Sequence, residues 1–206
     1  MMKKIFSVIA VLLASAGVFA NSEEAAVKQV LTDSYKFIRA MDVRGVLTLC
    51  HPEYVEIAAD GEKFTYSSLQ EMIPEYENMR KAILKGTAPG AGLLDVICAI
   101  AVLEDEQVTD DIVKICREME NTPDGKKMLE EAQKALSAMH KEYLAHVDKE
   151  SRSVKIQSVN VEKESAVLIF TAIGADSGKM EETTLKMVKV DGKWLIKESI
   201  SKYMEK

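Results

Sequence analysis

KMEETTLKMVKVDGKWLIKES, Lys179–Ser199, is a run of strand-type residues broken once, by Asp191-Gly192, with Trp194 two places beyond the glycine. Asp-Gly between apolar runs signals a hairpin, because a type I′ turn takes positive φ at both central residues. Two strands alone are marginal in water, so the rest of the chain must supply the surface against which this hairpin buries one face.

Working back from the hairpin, the period stays that of strands as far as Ser153. Val154, Ile156, Val159 and Val161 lead to a polar turn at Glu162–Ser165 and a strand over Ala166–Ile173, with the loop Gly174–Lys179 before the hairpin. Four antiparallel strands therefore close the chain.

Upstream, the period is helical. Val27, Val30, Leu31, Ser34, Tyr35, Ile38 and Met41 form one apolar face behind an Asn21/Glu24 capping box. Asp42 opens a short helix that His51-Pro52 should end, since the residue before proline avoids the α region. Tyr54–Ile57 reads as a strand, Asp60-Gly61 as a turn and Lys63–Tyr66 as the return strand. Ser67 and Ser68 start a further helix, which Pro74 should kink or split. Gly86–Gly92 is a flexible break without the ending of a phosphate loop. The apolar run Leu93–Leu103 is too short to span a bilayer and reads as a buried helix. Thr109 caps a helix over Ile112–Met119, and Thr122-Pro123 opens the longest one, to about Val147.

At the N-terminus, Lys3-Lys4, the apolar run Ile5–Leu13 and Val18-Phe19-Ala20 have the form of a signal peptide over residues 1–20. The mature domain is then expected to span 21–206, exported to the periplasm or secreted, with no stable membrane insertion. Without Lys3 and Lys4 the basic count falls from 27 to 25 against 33 acidic residues, a net charge of −8. Such a charge argues against nucleic acid and anionic membranes as partners. Cys50, Cys98 and Cys116 are an odd set for an exported chain. Cys98 and Cys116 lie on neighbouring expected helices, which allows a bridge; the other reading makes all three small buried hydrophobes.

Three segments, the opening helix leading into DVRGVLTLCHPEYVEI, then ADGEKFTYSSLQEMI, and finally VNVEKESAVLIFTA with TLKMVKVDGKWLIKES, together resemble the nuclear-transport-factor-2-like (SnoaL-like) superfamily. The resemblance implies an α+β fold in which a cone-like, strongly bent antiparallel sheet wraps around the N-terminal helices. It covers Glu23–Ile73 and Val154–Ser201, and the helical block at about 86–147 departs from it as an insertion in a single domain. That fold hosts isomerases, dehydratases, hydrolases and non-catalytic binding domains, so function has to be argued from a site.

Polar side chains expected to face the enclosed pocket are Tyr35, Tyr54, Glu56 and Tyr66. A tyrosine hydroxyl beside a carboxylate whose pKa is raised by burial is a proton-transfer pair. The competing reading makes the tyrosines half-buried core residues and turns Glu56 to solvent. His51 reads as a turn residue. His140 and His146 lie on different faces of one helix, so no metal site is expected, and no cofactor motif or Gly-x-Ser-x-Gly is present. Ser199–Lys202 matches Ser-x-x-Lys without its companion motifs, a chance match. The expected function is an exported, non-enzymatic domain that binds a small apolar ligand or a protein partner, an envelope protein or a second copy of itself. The alternative is a small cofactor-independent enzyme of isomerase, dehydratase or hydrolase type acting on a hydrophobic substrate.

Overall fold

The computed structural model describes residues 22–104, 106–174 and 177–204. The leader-like residues 1–20 and the Asn21 cap lie outside them. In chain order the elements are α1 (Ser22–Arg39), α2 (Val43–Leu47), β1 (Cys50–Ile57), β2 (Lys63–Thr65), α3 (Tyr66–Gly86), α4 (Leu93–Leu103), α5 (Asp110–Met119), α6 (Pro123–Ser153), β3 (Lys155–Glu162), β4 (Ser165–Ile173), β5 (Met180–Val190) and β6 (Lys193–Tyr203). This is an α+β chain, in the order that the resemblance implies.

Two compact units make it up. One is Pro74–Ala145; the other combines the described residues up to Ile73 with those from His146 onward. The second unit holds the whole sheet, an open one in the order β2-β1-β6-β5-β4-β3. Every pairing is antiparallel except that of β1 with β6, which is parallel.

The closing hairpin forms as its sequence dictates. Asp191 and Gly192 both take positive φ, 49° and 79°, and Val190 pairs with Lys193 across them. Three irregularities bend the sheet, because an extra residue on one strand kinks it and increases its twist. On β3, Ile156 faces Phe170 and Ser158 faces Ile169, which leaves Gln157 over. On β6, Ile196 faces Met187 and Glu198 faces Lys186, leaving Lys197 over. On β1, five residues advance from Cys50 to Val55 while β6 advances two, and that slack holds His51-Pro52. The expectation that His51-Pro52 ends the second helix is therefore corrected. Helix α2 ends at Leu47 with Thr48 as its cap, and the proline, which has no N–H for a ladder, occupies the irregular part of β1.

Helix α1 buries Val27, Val30, Leu31, Ser34 and Tyr35. Its first turn is tied to the hairpin by Glu23, whose carboxylate accepts from Trp194 Nε1 at 2.9 Å and from Lys189 Nζ at 2.6 Å. At its other end Arg39 pairs with Asp148 of α6. Helix starts are capped by short polar side chains. Asp42 accepts from Gly45 N at 2.9 Å, Thr109 from Ile112 N and Thr122 from Gly125 N. Helix α3 begins one residue earlier than expected, at Tyr66, because Thr65 and Ser68 exchange backbone-to-side-chain bonds of 2.8 and 3.2 Å. Pro74 lies within α3 without splitting it. Helix α6 runs six residues beyond the expected end at Val147.

Within Pro74–Ala145, none of the eleven residues of α4 is exposed. Gly125 lets α6 start close to α5: a Cβ there would lie 1.9 Å from the Met119 carbonyl oxygen. All three cysteines are free thiols, with Cys50 and Cys116 buried and Cys98 half-buried. Among the described residues no helix is long and apolar enough to cross a membrane.

A Cβ added at Gly192 would meet nothing within 4 Å, so a side chain there costs only backbone strain. Gly192→Ala should lower the unfolding free energy in urea by about 1–2 kcal/mol. Asp191→Asn, equally tolerant of positive φ, should leave it within about 0.5 kcal/mol.

Candidate functional site

Side chains alternate along a strand, so Tyr54 and Glu56 share a face of β1. It is the buried face: Tyr54 is 1% exposed and Glu56 0%. The reading that turns Glu56 to solvent is corrected by this burial. Across the sheet Glu56 is registered with Phe64 on one side and Ser199 on the other, and the same row continues to Leu185 and Leu168. All four neighbours are buried.

Ser199 reaches this face through the bulge. Trp194 and Ile196 point inward; strict alternation would then bring Glu198 inward and turn Ser199 out. The unpaired Lys197 resets the alternation, so that Ser199 and Ser201 face the core and Glu198 faces out. Ser201 and Thr183, also buried, satisfy each other at 2.8 Å.

The Tyr54 hydroxyl donates to Glu56 Oε2 at 2.7 Å. Glu56 Oε1 is shielded from water and has no hydrogen-bond partner. Burial pushes the Glu56 carboxyl well above its ordinary pKa, against a smaller lowering by the Tyr54 bond. Burial, then Glu56 and Cys50, likewise push the Tyr54 hydroxyl up, while its hydrogen bond with Ser199 acts the other way. Burial and then Glu56 raise the Cys50 thiol, whose Sγ lies 3.5 Å from the Val46 carbonyl oxygen. Tyr54, Glu56, Cys50 and Ser199 are thus one inward group in which burial favours the neutral forms.

Tyr35 on α1 is a second buried hydroxyl without a partner. Burial raises its pKa first, and the charge of Glu150 on α6 second. Tyr66 is the half-buried first residue of α3. Of the four expected residues, the structure joins Tyr54 and Glu56 and sets Tyr35 against Glu150. His51 accepts from the Glu53 backbone N–H at 3.1 Å, a local bond within the irregular part of β1. Among the described residues no group of three or more His, Cys, Asp or Glu is placed to hold a metal ion.

Sequence reasoning missed Ser199, Cys50 and Glu150. A usable signal exists for Ser199: Lys197-Glu198 puts two charges in a row where alternation has room for one. Glu150 lies beyond the point where the apolar stripe of α6 stops being readable.

No known protein family and no curated protein matches the chain. Among solved structures it is similar to an NTF-2-like protein of unknown function from Silicibacter pomeroyi, with 12% identity, 90% of this chain and 100% of that one covered, and a TM-score of 0.43. An NTF2-like protein from Cytophaga hutchinsonii gives 11% identity over 90% of this chain and 100% of that one, also at 0.43. A de novo designed protein with a curved β-sheet gives 11% over 88% and 98%, at 0.38. At such identities no residue's role passes from those proteins to this chain.

The raised carboxyl gives stability a definite pH dependence. Between the ordinary value of 4.5 and its folded value, Glu56 holds a proton in the folded state that the unfolded chain releases, so stability falls as pH rises through that window. Gln cannot titrate. The thermal midpoint of Glu56→Gln relative to wild type should therefore climb from pH 5 to pH 8, by at least about 2 °C, the size of a ~1 kcal/mol effect in a chain this long. Parallel pH curves for the two proteins would mean that the carboxyl is not held neutral.

Proposed function

We propose that this chain is a binding protein whose inward Tyr54–Glu56 pair takes a small, largely apolar molecule through a single oxygen atom and does not turn it over. The observation that carries this reading is Glu56 Oε1, fully buried beside Tyr54 yet without a partner. An unsatisfied buried polar atom costs about 1–3 kcal/mol, a penalty that a ligand's hydrogen bond would remove. In its neutral form the carboxyl is a donor, suited to a carbonyl or hydroxyl oxygen. The surrounding row of Phe64, Leu185 and Leu168 suits an apolar body. Because Oε1 is shielded from water, entry of the ligand requires these side chains to move.

The inward position of Glu56 also supports the second reading, a small cofactor-independent enzyme with Glu56 and Tyr54 as its acid and base. Chemistry favours binding over turnover. A general base must be ionised at working pH, and burial drives Glu56, Tyr54 and Cys50 towards their neutral forms. Export to the periplasm or beyond belongs to the same proposal, and the leader-like residues 1–20 support it.

The test uses 2-acetylnaphthalene and 2-ethylnaphthalene, which share an apolar body and differ in one oxygen. Calorimetry should find the ketone bound about tenfold more tightly, or ~1.4 kcal/mol. Glu56→Gln, which keeps a donor, should retain that preference, and Glu56→Leu should erase it. Equal affinities in wild type would sink the reading. Exchange of the ketone's methyl hydrogens with D2O, accelerated by wild type and lost in Glu56→Gln, would move the assignment to the enzyme.

A further inference from the structure

Helices α4 and α5 of the Pro74–Ala145 unit each carry one thiol, Cys98 and Cys116, outside the Tyr54–Glu56 site. A short connection joins the end of α4 to the start of α5, and the two far ends also meet. A Cβ added at Gly92, the residue that opens α4, would run into Oε1 of Glu120, the residue that closes α5. The helices are therefore antiparallel, and the Glu120 carboxylate stands at an N-terminus that has no side-chain cap, where the helix dipole favours a negative charge. At ~1.5 Å per residue, Cys98 lies about 9 Å along α4 from this meeting point and Cys116 about 6 Å back along α5. Counted from the connection, Cys98 lies about 7.5 Å before Leu103 and Cys116 about 9 Å after Asp110. By either count the two thiols stand within ~3 Å of one level.

Exposure gives the two thiols different parts. Cys116, 2% exposed, is the one buried residue within α5. Cys98 is half-buried, beside the ion pair that Lys85 makes with Asp95 at 2.8 Å. After burial, it is Cys98 that does most to raise the Cys116 thiol, ahead of Glu120, so each sulfur lies within the electrostatic reach of the other. Helix axes ~8–10 Å apart, with Cα atoms ~2.3 Å from each axis, put facing Cα atoms roughly 3.5–5.5 Å apart. That span overlaps the ~4.4–6.8 Å of a disulfide. We propose that Cys98 and Cys116 form a reversible disulfide that ties α4 to α5, made by exchange with a small disulfide such as oxidised glutathione. The Cys98 thiol loses its proton and attacks the small disulfide, bonding to one sulfur and releasing the other half as a thiolate. The Cys116 thiol then loses its proton, attacks the Cys98 sulfur and expels the second half. Two protein thiols are oxidised to one disulfide, and one small disulfide is reduced to two thiols that take up the two protons. Cys50 stays apart, buried in the unit that holds the sheet. The bond does not depend on what the Tyr54–Glu56 pair binds.

The full chain is equilibrated in millimolar glutathione, quenched in acid, denatured and alkylated, and its labels are counted by mass spectrometry. Three labels are expected from reducing buffer and one, on Cys50, from oxidising buffer. Trypsin cuts after Lys85, Lys114 and Arg117, so the oxidised protein should yield residues 115–117 joined to residues 86–114, a species that reduction removes. Cys116→Ser should stop at a glutathione adduct on Cys98, and Cys98→Ser should leave Cys116 a free thiol. Cys50→Ser should leave the cross-link unchanged, and together with the wild-type map it decides the matter even if the other two variants fail to fold. Three labels in oxidising buffer would overturn the inference. So would glutathione adducts on both Cys98 and Cys116 without a cross-link, a bridge that includes Cys50, or a cross-link found only between two chains.

Discussion

A strand has only two faces, and β6 must serve both while pairing on each side, with β1 along one edge and β5 along the other. Its alternation is therefore the constraint on which the sheet depends. Up to Ile196 the strand turns apolar residues inward; past Lys197 it turns serines inward and aliphatic and charged residues outward. Without that one unpaired residue, Glu198 would be driven into the core and its pairing with Lys186 on the outer face would be lost. Ser199 would also leave the row that it shares with Glu56. The buried polar group on one face and the ordered charges on the other are two results of the same insertion.

The inner group shows how a polar cluster persists in a core. Ser201 and Thr183 satisfy each other, and Tyr54 is satisfied by Glu56 and Ser199. Charge is removed by holding the titratable groups in their neutral forms, which is far less costly than burying an unpaired ion. In the unit that holds the sheet, one carboxyl oxygen on β1 and one hydroxyl on α1 stay without a partner. Hydrophobic burial around them is nearly complete, so these two atoms stand out against their surroundings.

Much of the architecture was legible because it rests on local chemistry. Asp191-Gly192 takes the only backbone conformation that suits both residues in a two-residue turn, and Thr109 and Thr122 cap the helices that follow them. Apolar spacing marked α1 from Val27 to Ile38, although Met41 lies past its end at Arg39 with a positive φ, and Leu93–Leu103 proved as enclosed as its composition implies. The misreadings came from residues whose setting is decided at long range. His51-Pro52 looks like a helix stop, yet β6 recruits it into a strand with enough slack for the missing N–H. Thr65 rather than Ser67 starts α3 because Ser68 completes a reciprocal pair. Tyr54 and Glu56 were named as polar side chains that the pocket of the resembled fold could hold, but the sequence leaves open which face of β1 is buried; the neighbouring strands decide that. Ser199 depended on a bulge, and Glu150 on a turn of α6 that tertiary packing sustains.

The chain has a single tryptophan, and it occupies the junction between the closing hairpin and the first turn of α1. Its indole is 5% exposed, bonded to a carboxylate and overlain by the Lys189 ammonium at 5.7 Å from the ring centroid. Its emission therefore reports on the junction between the closing hairpin and the first turn of α1. Circular dichroism, by contrast, draws much of its helical signal from Pro74–Ala145. Followed together through a denaturation, the two optical signals distinguish a chain that unfolds as one cooperative body from one whose sheet and helices part company at different points.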